Sequence, residues 1–123
     1  MRHAESKIQR AVIQWFALAH RGLGVPHASL LFAIPNGGAR NPATGAVLKA
    51  EGVRAGVADL MLACPRGGFS GLFIELKTTS GRVREEQKAF IALVIGQGYW
   101  AQVARGFDEA RVLIERYLKE THT

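Results

Sequence analysis

The spacing of apolar residues divides the chain into helices and short strands. Apolar side chains recur at helical spacing over residues 5–20, 83–95 and 107–118, with polar residues on the other faces. Short apolar runs over 30–34 and 99–104 are bounded by Gly or Pro, which is typical of strands. The pattern therefore predicts three amphipathic helices and two strands in these segments.

Each predicted helix has an apolar face that should pack on a core. The predicted faces are Ile8, Val12, Trp15, Phe16 and Ala19 in the first helix, Ala89, Phe90, Leu93 and Val94 in the second, and Ala110, Leu113, Ile114, Tyr117 and Leu118 in the third. Glu85 and Glu86 open the second helix, where acidic side chains suit the helix dipole.

Two further apolar runs, over 56–63 and 71–77, lie on either side of a turn-rich segment at 64–68. Pro and Gly between two apolar runs are typical of a strand connection, so a β-hairpin is predicted. Because side chains alternate along a strand, one face of the hairpin should be entirely aliphatic. That face comprises Leu60, Leu62, Leu72, Ile74 and Leu76.

The other face of the predicted hairpin carries three ionisable residues. A turn centred near Gly67 places Asp59 opposite Glu75, and Val57 opposite Lys77. Lys77 lies on the same face as Glu75 because it follows two residues later. The hairpin is therefore predicted to bring two carboxylates and an ammonium group together.

Two interpretations of this cluster remain open. Directly opposed like charges are destabilising, and a divalent cation shared by Asp59 and Glu75 would offset the repulsion. Alternatively, either carboxylate forms a structural ion pair with Lys77. Neither the spacing nor the residue types separate the two.

Residues 36–56 show little periodicity and are predicted to form a long loop, with a short helical piece around Leu48. A loop of this length in a small domain is usually functional or disordered. Gly37 and Gly38 lack the spacing and the following lysine of a phosphate-binding loop, so a nucleotide cofactor is not indicated.

The predicted order of elements is α-β-β-β-α-β-α, with the long loop after the first strand. A mixed β-sheet flanked by helices on both sides is the simplest packing, which makes the fold α/β. A length of 123 residues allows one domain, so residues 1–123 are expected to form a single unit.

Charge and composition narrow the set of partners. The net charge is +6 and the isoelectric point is near 10.1, which favours polyanionic partners such as nucleic acid or an anionic membrane surface.

No apolar segment approaches the roughly 18 residues of a membrane span, and no secretory leader is apparent. Cys64 is the single cysteine, which fits a reducing compartment, and the histidines are not spaced as zinc ligands. A cytoplasmic location is therefore expected.

Several short motifs occur in an order that resembles a known family. They are IPNGG at 34–38, EGVRAGVAD at 51–59, IELK at 74–77, GR at 81–82, and Gln87. The chain resembles a stand-alone virus-type replication-repair nuclease (VRR-NUC) domain of the PD-(D/E)xK nuclease superfamily, of the kind that phages encode. The resemblance runs from the first helix to Tyr117, and it implies a restriction-endonuclease-like mixed sheet. Ala58 is a departure, since Pro is typical before the metal aspartate.

The resemblance assigns roles to the cluster. It implies that Asp59 and Glu75 hold Mg²⁺ or Mn²⁺, with the carbonyl of Leu76 as a further ligand. It implies that Lys77 orients the attacking water and stabilises developing charge on the phosphate.

The same resemblance implies two further contributors to the site. Glu5 in the first helix matches a glutamate that contributes to the metal site. Gln87 matches a polar residue that supports the site.

The implied function is a metal-dependent DNA endonuclease. The resemblance points to branched DNA such as Holliday junctions, and cutting both arms of a symmetric junction requires a homodimer. The apolar pattern does not identify the interface; an exposed apolar face of a helix, with the last helix as a candidate, would be suited to it. Phosphate contacts are expected from six basic residues, Arg40, Lys49, Arg54, Arg82, Arg84 and Lys88.

Two other functions fit the same sequence. The first is a nucleic-acid-binding module whose carboxylates are structural and which has no hydrolytic activity. The second is an effector or toxin-type nuclease that acts on RNA. The charge of the chain favours neither DNA nor RNA.

Overall fold

The computed structural model describes residues 3–35 and 42–119, except for the side chains of residues 42 and 43. Within these ranges the chain forms four α-helices and four β-strands. In chain order they are α1 (His3–Ala19), β1 (Leu31–Ala33), α2 (Pro42–Ala50), β2 (Leu60–Leu62), β3 (Leu72–Lys77), α3 (Glu85–Ile95), β4 (Trp100–Arg105) and α4 (Phe107–Lys119). A single 3₁₀ turn, Ala28–Leu30, precedes β1.

The four strands form one mixed sheet in the order β1-β2-β3-β4. β1 pairs antiparallel with β2, β2 pairs antiparallel with β3, and β3 pairs parallel with β4. A parallel pair needs a crossover connection, and α3 provides it between β3 and β4. The predicted α/β class and mixed sheet are confirmed.

The register of the central hairpin is the one that the sequence predicts. Leu60 pairs with Ile74, and Leu62 pairs with Leu72. Continued by one residue, this register sets Asp59 opposite Glu75. The turn glycines permit the connection, since Gly67 and Gly68 both have positive φ angles.

The aliphatic face of the hairpin forms the centre of the core. Its five residues are all completely buried, and they pack with α1 and α4. From the helices, the core takes Val12, Phe16, Ala110, Leu113, Ile114, Tyr117 and Leu118. The Tyr117 hydroxyl donates a 2.7 Å hydrogen bond to the carbonyl of Cys64. This apolar face of α4 is therefore used in the core and is not an exposed face of the kind that a dimer interface needs.

The predicted apolar face of α3 is correct at Phe90 and Val94, which are half-buried, and wrong at Ala89 and Leu93. Leu93 is 69% exposed and Ala89 is exposed, whereas the buried side chain of this helix is Gln87. The helix contacts the sheet through Phe90, whose ring meets that of Phe73 edge-on with centroids 5.3 Å apart. Ile91 and Val94 are half-buried like Phe90, whereas Ala89 and Leu93 are exposed to solvent.

Helix α2 replaces much of the predicted loop. It has nine residues, Pro42–Ala50, where the sequence predicted only a short helical piece around Leu48. Alanine, leucine and lysine favour helix, and Pro is well suited to the first helical position. The predicted features at Gly37, Gly38 and Arg40 lie outside the described residues.

Gly56 provides a test of how the segment before Asp59 packs against α3. Its φ is +86°, and an added Cβ would lie 2.5 Å from the carbonyl oxygen of Glu86. We expect Gly56→Ala to lower the free energy of unfolding by about 1–3 kcal/mol more than a matched glycine substitution does. The control is Gly68→Ala, because Gly68 has a φ of +89° and open space around it. Urea unfolding of both variants measures the difference, and equal losses would contradict the packing.

Candidate active site

The ionisable residues predicted on the hairpin are brought together and buried. Asp59 directly precedes β2, and Glu75 and Lys77 lie on β3. Their exposed fractions are 5%, 3% and 3%. Charged side chains are rarely buried to this extent unless they are paired or serve a task.

The Asp59 carboxylate lies just beyond the last backbone pair between β2 and β3. β2 begins at Leu60, so the backbone at position 59 no longer pairs with β3. Instead, Asp59 Oδ2 accepts a 2.7 Å hydrogen bond from the backbone N–H of Leu76. On the other side, the carbonyl of Asp59 accepts a 2.9 Å bond from the N–H of Ile34. The aspartate is therefore held between β1 and β3.

Glu75 has one satisfied carboxylate oxygen and one that is not satisfied. Oε2 accepts a 2.9 Å hydrogen bond from Gln87 Nε2 and lies 3.8 Å from Lys77 Nζ. Oε1 is buried and has no hydrogen-bond partner among the described residues. When Glu75 is ionised, this buried acceptor without a partner costs about 1–3 kcal/mol, so the oxygen is suited to a ligand that supplies positive charge.

The electrostatics of the cluster are unfavourable to two charged carboxylates. Burial raises the pKa of Asp59, against the opposing effect of the hydrogen bond from Leu76. Burial and the charge of Asp59 raise the pKa of Glu75 to about 8, although Lys77 opposes this. At neutral pH and without a bound cation, Glu75 therefore holds its proton.

Glu5 belongs to the same cluster although it lies far away in sequence. It is in the first turn of α1 and is 7% exposed. Its charge raises the pKa of both Asp59 and Glu75. The structure thus brings a third carboxylate near the two on the hairpin, at the residue to which the resemblance pointed.

Gln87 connects the start of α3 to the cluster. Its Oε1 accepts a 2.9 Å hydrogen bond from the N–H of Arg84, which caps the helix. Its Nε2 donates to Glu75, so the buried amide fixes the position of that carboxylate. The structure therefore brings Gln87, predicted to support the site, into direct contact with Glu75.

The predicted phosphate-contacting residues lie at the surface wherever the structure describes them. These are Lys49, Arg54, Arg82, Arg84 and Lys88. Arg84 and Lys88 have exposed ion pairs with Glu86 and Glu85, at 3.5 and 3.2 Å, and such pairs contribute little. Arg82 and Arg84 lie in the segment between β3 and α3, next to the buried cluster in the chain.

One residue near the cluster was missed by the sequence analysis. Arg105 ends β4 and pairs in register with Lys77. Its Nη1 donates to the carbonyls of Thr78 and Gly81, at 2.9 and 2.7 Å. The guanidinium thus holds the loop that connects Lys77 to the arginines after it. No local signal could have found it, because the contacts span more than twenty residues of chain.

The donor set fits a hard divalent cation. Among the described residues, no group of three or more His, Cys, Asp and Glu side chains is placed to hold a metal ion together. Mg²⁺ does not need such a set, since it is usually bound through one or two carboxylates and keeps several waters. Asp59 and Glu75 supply the carboxylates, and the unsatisfied Oε1 of Glu75 is an available ligand atom. Leu76, whose carbonyl was predicted as a further ligand, lies between Glu75 and Lys77 and is completely buried.

The raised pKa of Glu75 predicts a pH dependence of stability. Between its ordinary value of 4.5 and about 8, the folded protein holds a proton that the unfolded chain releases. In EDTA, the free energy of unfolding should therefore fall as the pH rises through this range. We expect Glu75→Gln to flatten the profile measured by urea unfolding. Glu85→Gln, at an 86% exposed side chain, should leave the profile as in the wild type.

The fold and the cluster together define a class of protein. A mixed sheet flanked by helices, with two carboxylates and a lysine at one end of its central hairpin, is a nuclease-type fold. The VRR-NUC domain family model matches residues 3–108, and the chain belongs to this family. The family predicted from the sequence motifs is confirmed.

A solved structure described as a VRR_NUC domain protein is similar over nearly the whole chain. The two share 30% sequence identity with a TM-score of 0.79, and the match covers 94% of this chain and 88% of the other. A search of curated proteins found no match. Within the part of the chain that the structure describes, none of the helices combines the length and apolar character needed to cross a bilayer.

Proposed function

We propose that this protein is a metal-dependent endonuclease that hydrolyses phosphodiester bonds in DNA, with Mg²⁺ or Mn²⁺ as the cation. The observation that carries the proposal is the buried cluster of Asp59, Glu75 and Lys77 at the end of the hairpin. Membership of the VRR-NUC family supports the nuclease class.

The electrostatics favour a functional cluster over a structural ion pair. In a stabilising ion pair, the partner lowers the pKa of the carboxylate. Here Lys77 does lower the pKa of Asp59 and that of Glu75, but burial raises both by more, and the charge of Asp59 adds to the rise at Glu75. The arrangement therefore costs stability in the absence of a cation. Perturbed acidic groups at one buried place are characteristic of active sites.

Each residue of the cluster would have a separate role in hydrolysis. Asp59 and Glu75, with the carbonyl of Leu76, would hold the cation, and Glu5 adds negative charge beside them. A bound divalent metal lowers the pKa of its water and neutralises charge on the phosphate. The Lys77 ammonium orients the attacking water and stabilises the charge that develops on the phosphate oxygens. Gln87 keeps the Glu75 carboxylate in place through its 2.9 Å hydrogen bond.

Exposed basic side chains around the cluster would bind the DNA backbone. They comprise Arg82, Arg84 and Lys88 near the start of α3, and Lys49 and Arg54 in the segment between β1 and β2. Arg40, which lies outside the described residues, is proposed from the sequence alone to contribute a further phosphate contact. Phosphate contacts position nucleic acid without reading its sequence. Selectivity would then come from the shape of the DNA, and we propose branched DNA such as Holliday junctions as the preferred substrate. Two cuts in a symmetric junction need two sites, which a homodimer would supply.

The deciding experiment is a cleavage assay with labelled four-way junction, flap, single-stranded and linear duplex DNA, and one RNA of matched length. Each substrate is tested in Mg²⁺, Mn²⁺ and EDTA, with Asp59→Ala as the control. Cutting that needs metal and is lost in the variant supports the proposal. Binding without cutting under every condition would instead identify a non-catalytic nucleic-acid-binding module, and cutting of RNA alone would replace DNA as the substrate.

A further inference from the structure

An apolar row crosses the same sheet face that carries Glu75 and Lys77. The pairing sets Phe32 of β1 beside Met61 of β2, and Met61 beside Phe73 of β3. Neighbouring residues in register share a face of the sheet, so the three side chains form a continuous apolar surface. Phe73 precedes Glu75 by two residues, so the Phe73 end of the row lies about 6.6 Å from Glu75 along the strand, and Phe32 lies two strands away across the sheet.

The row is covered at one end and open at the other. The ring of Phe73 packs against the rings of Phe90 and Tyr99, each with a centroid distance of 5.3 Å. Met61 is half-buried, and Phe32, on the edge strand of the sheet, is 41% exposed. Its neighbour Leu31, which points to the opposite face, is only 4% exposed. The sheet therefore presents an aromatic side chain to solvent on the face of the candidate active site.

We propose that Phe32, with Met61 beside it, is a stacking platform for an unpaired nucleobase next to the phosphodiester that is cleaved. This rests on the proposed nuclease function and extends it to the choice of substrate. Aromatic side chains bind single-stranded nucleic acid by stacking on bases, which every base permits. In an intact duplex the faces of the bases are stacked on one another, whereas branch points, flaps and single strands offer a free base. Phe32 would therefore favour DNA with unpaired nucleotides near the cut.

The test is binding of a flap DNA and of a fully paired duplex of equal length in EDTA, where no cleavage is needed for a readout. The flap carries 2-aminopurine as its unpaired base, because stacking quenches the fluorescence of this base. Phe32→Ala should weaken flap binding by about 5- to 140-fold, which corresponds to the 1–3 kcal/mol that one stacked base contributes. Duplex binding should change by less than about twofold, because phosphate contacts supply it.

Three further variants separate stacking from other roles. Phe32→Tyr should retain both affinity and quenching, whereas Phe32→Leu keeps apolar surface without an aromatic face and should behave like Phe32→Ala. Leu93→Ala, at a 69% exposed leucine of α3, controls for loss of exposed apolar surface and should bind like the wild type. Wild-type binding by Phe32→Leu, or equal loss on flap and duplex, would overturn the proposal. So would a change of oligomeric state in Phe32→Ala by light scattering, which would show that a second copy covers this face.

The cleavage assay tests the nuclease function, and the binding assay tests the stacking platform, so each proposal can be refuted without the other. Absence of cleavage by the wild type would refute the nuclease function, whereas unchanged quenching in Phe32→Ala would refute the stacking platform alone.

Discussion

Replacing Lys77 with methionine should reduce the rate of DNA cleavage by at least about 10²–10³-fold while the protein stays folded and binds DNA. Lys77 is 3% exposed, and its Nζ lies 3.8 Å from Glu75 Oε2. Methionine keeps most of the length of the side chain, so packing is largely retained and the loss reports the missing ammonium group. The fold should tolerate the loss of charge, because the raised pKa of Glu75 leaves that carboxyl protonated at neutral pH in the absence of metal.

The matched control for this experiment is Lys88→Met. Lys88 is also a lysine near the cluster in the chain, but its side chain is 60% exposed and pairs with Glu85. It should lose at most a few-fold in affinity, as expected for one phosphate contact. Single-turnover rates and DNA affinities are compared for the two variants. Cleavage at the wild-type rate by Lys77→Met would refute the catalytic role of Lys77.

Replacing Asp59 with asparagine should abolish metal-dependent cleavage and yet leave the metal-free protein at least as stable as the wild type. The asparagine side chain can still accept the hydrogen bond from Leu76 N–H, which measures 2.7 Å in the structure. The substitution removes a buried charge that raises the pKa of Glu75. Stability therefore gains from relief of repulsion, whereas cation binding loses a carboxylate ligand.

Thermal unfolding with and without Mg²⁺ or Mn²⁺ measures both effects. A ligand that binds only the folded state stabilises it by about 2.7 kcal/mol at one hundred times its Kd, so metal should raise the Tm of the wild type. The Tm of Asp59→Asn should not respond to metal. Asp108→Asn, at an exposed acidic residue of α4, should retain the metal response. Marked destabilisation of Asp59→Asn in EDTA would indicate a structural carboxylate and contradict the proposed site.

The hairpin shows how much of the site could be predicted locally. Its turn is bounded by two short apolar runs, and the alternation of side chains then decides which residues share a face. The observed pairing of Leu60 with Ile74 follows the predicted register, and with it the opposition of Asp59 and Glu75. The turn segment is too long to fix the register by itself, so the register was a hypothesis that the observed pairing confirms.

The helices show what the apolar pattern could not predict, namely which face of each helix is covered. The apolar face of α4 was predicted correctly residue by residue, but its use in the core rather than in an interface depends on what packs against it. In α3, the side chain with the deepest burial is the amide of Gln87, while Leu93 is in solvent. Helical periodicity identifies an apolar face but does not say which neighbour, if any, covers it.

The sequence by itself determined the α/β order of elements apart from α2, and it predicted the hairpin register and the meeting of Asp59, Glu75 and Lys77, because each depends on local spacing and alternation. The burial of Glu5 beside them and the contact of Gln87 with Glu75 matched a family resemblance but no local pattern. Only the tertiary structure decided these contacts. It also decided the hydrogen bonds from Arg105 to the loop after β3 and the raised pKa of Glu75. All four arise between segments distant in the chain, and their geometry and desolvation exist only after the helices have packed on the sheet.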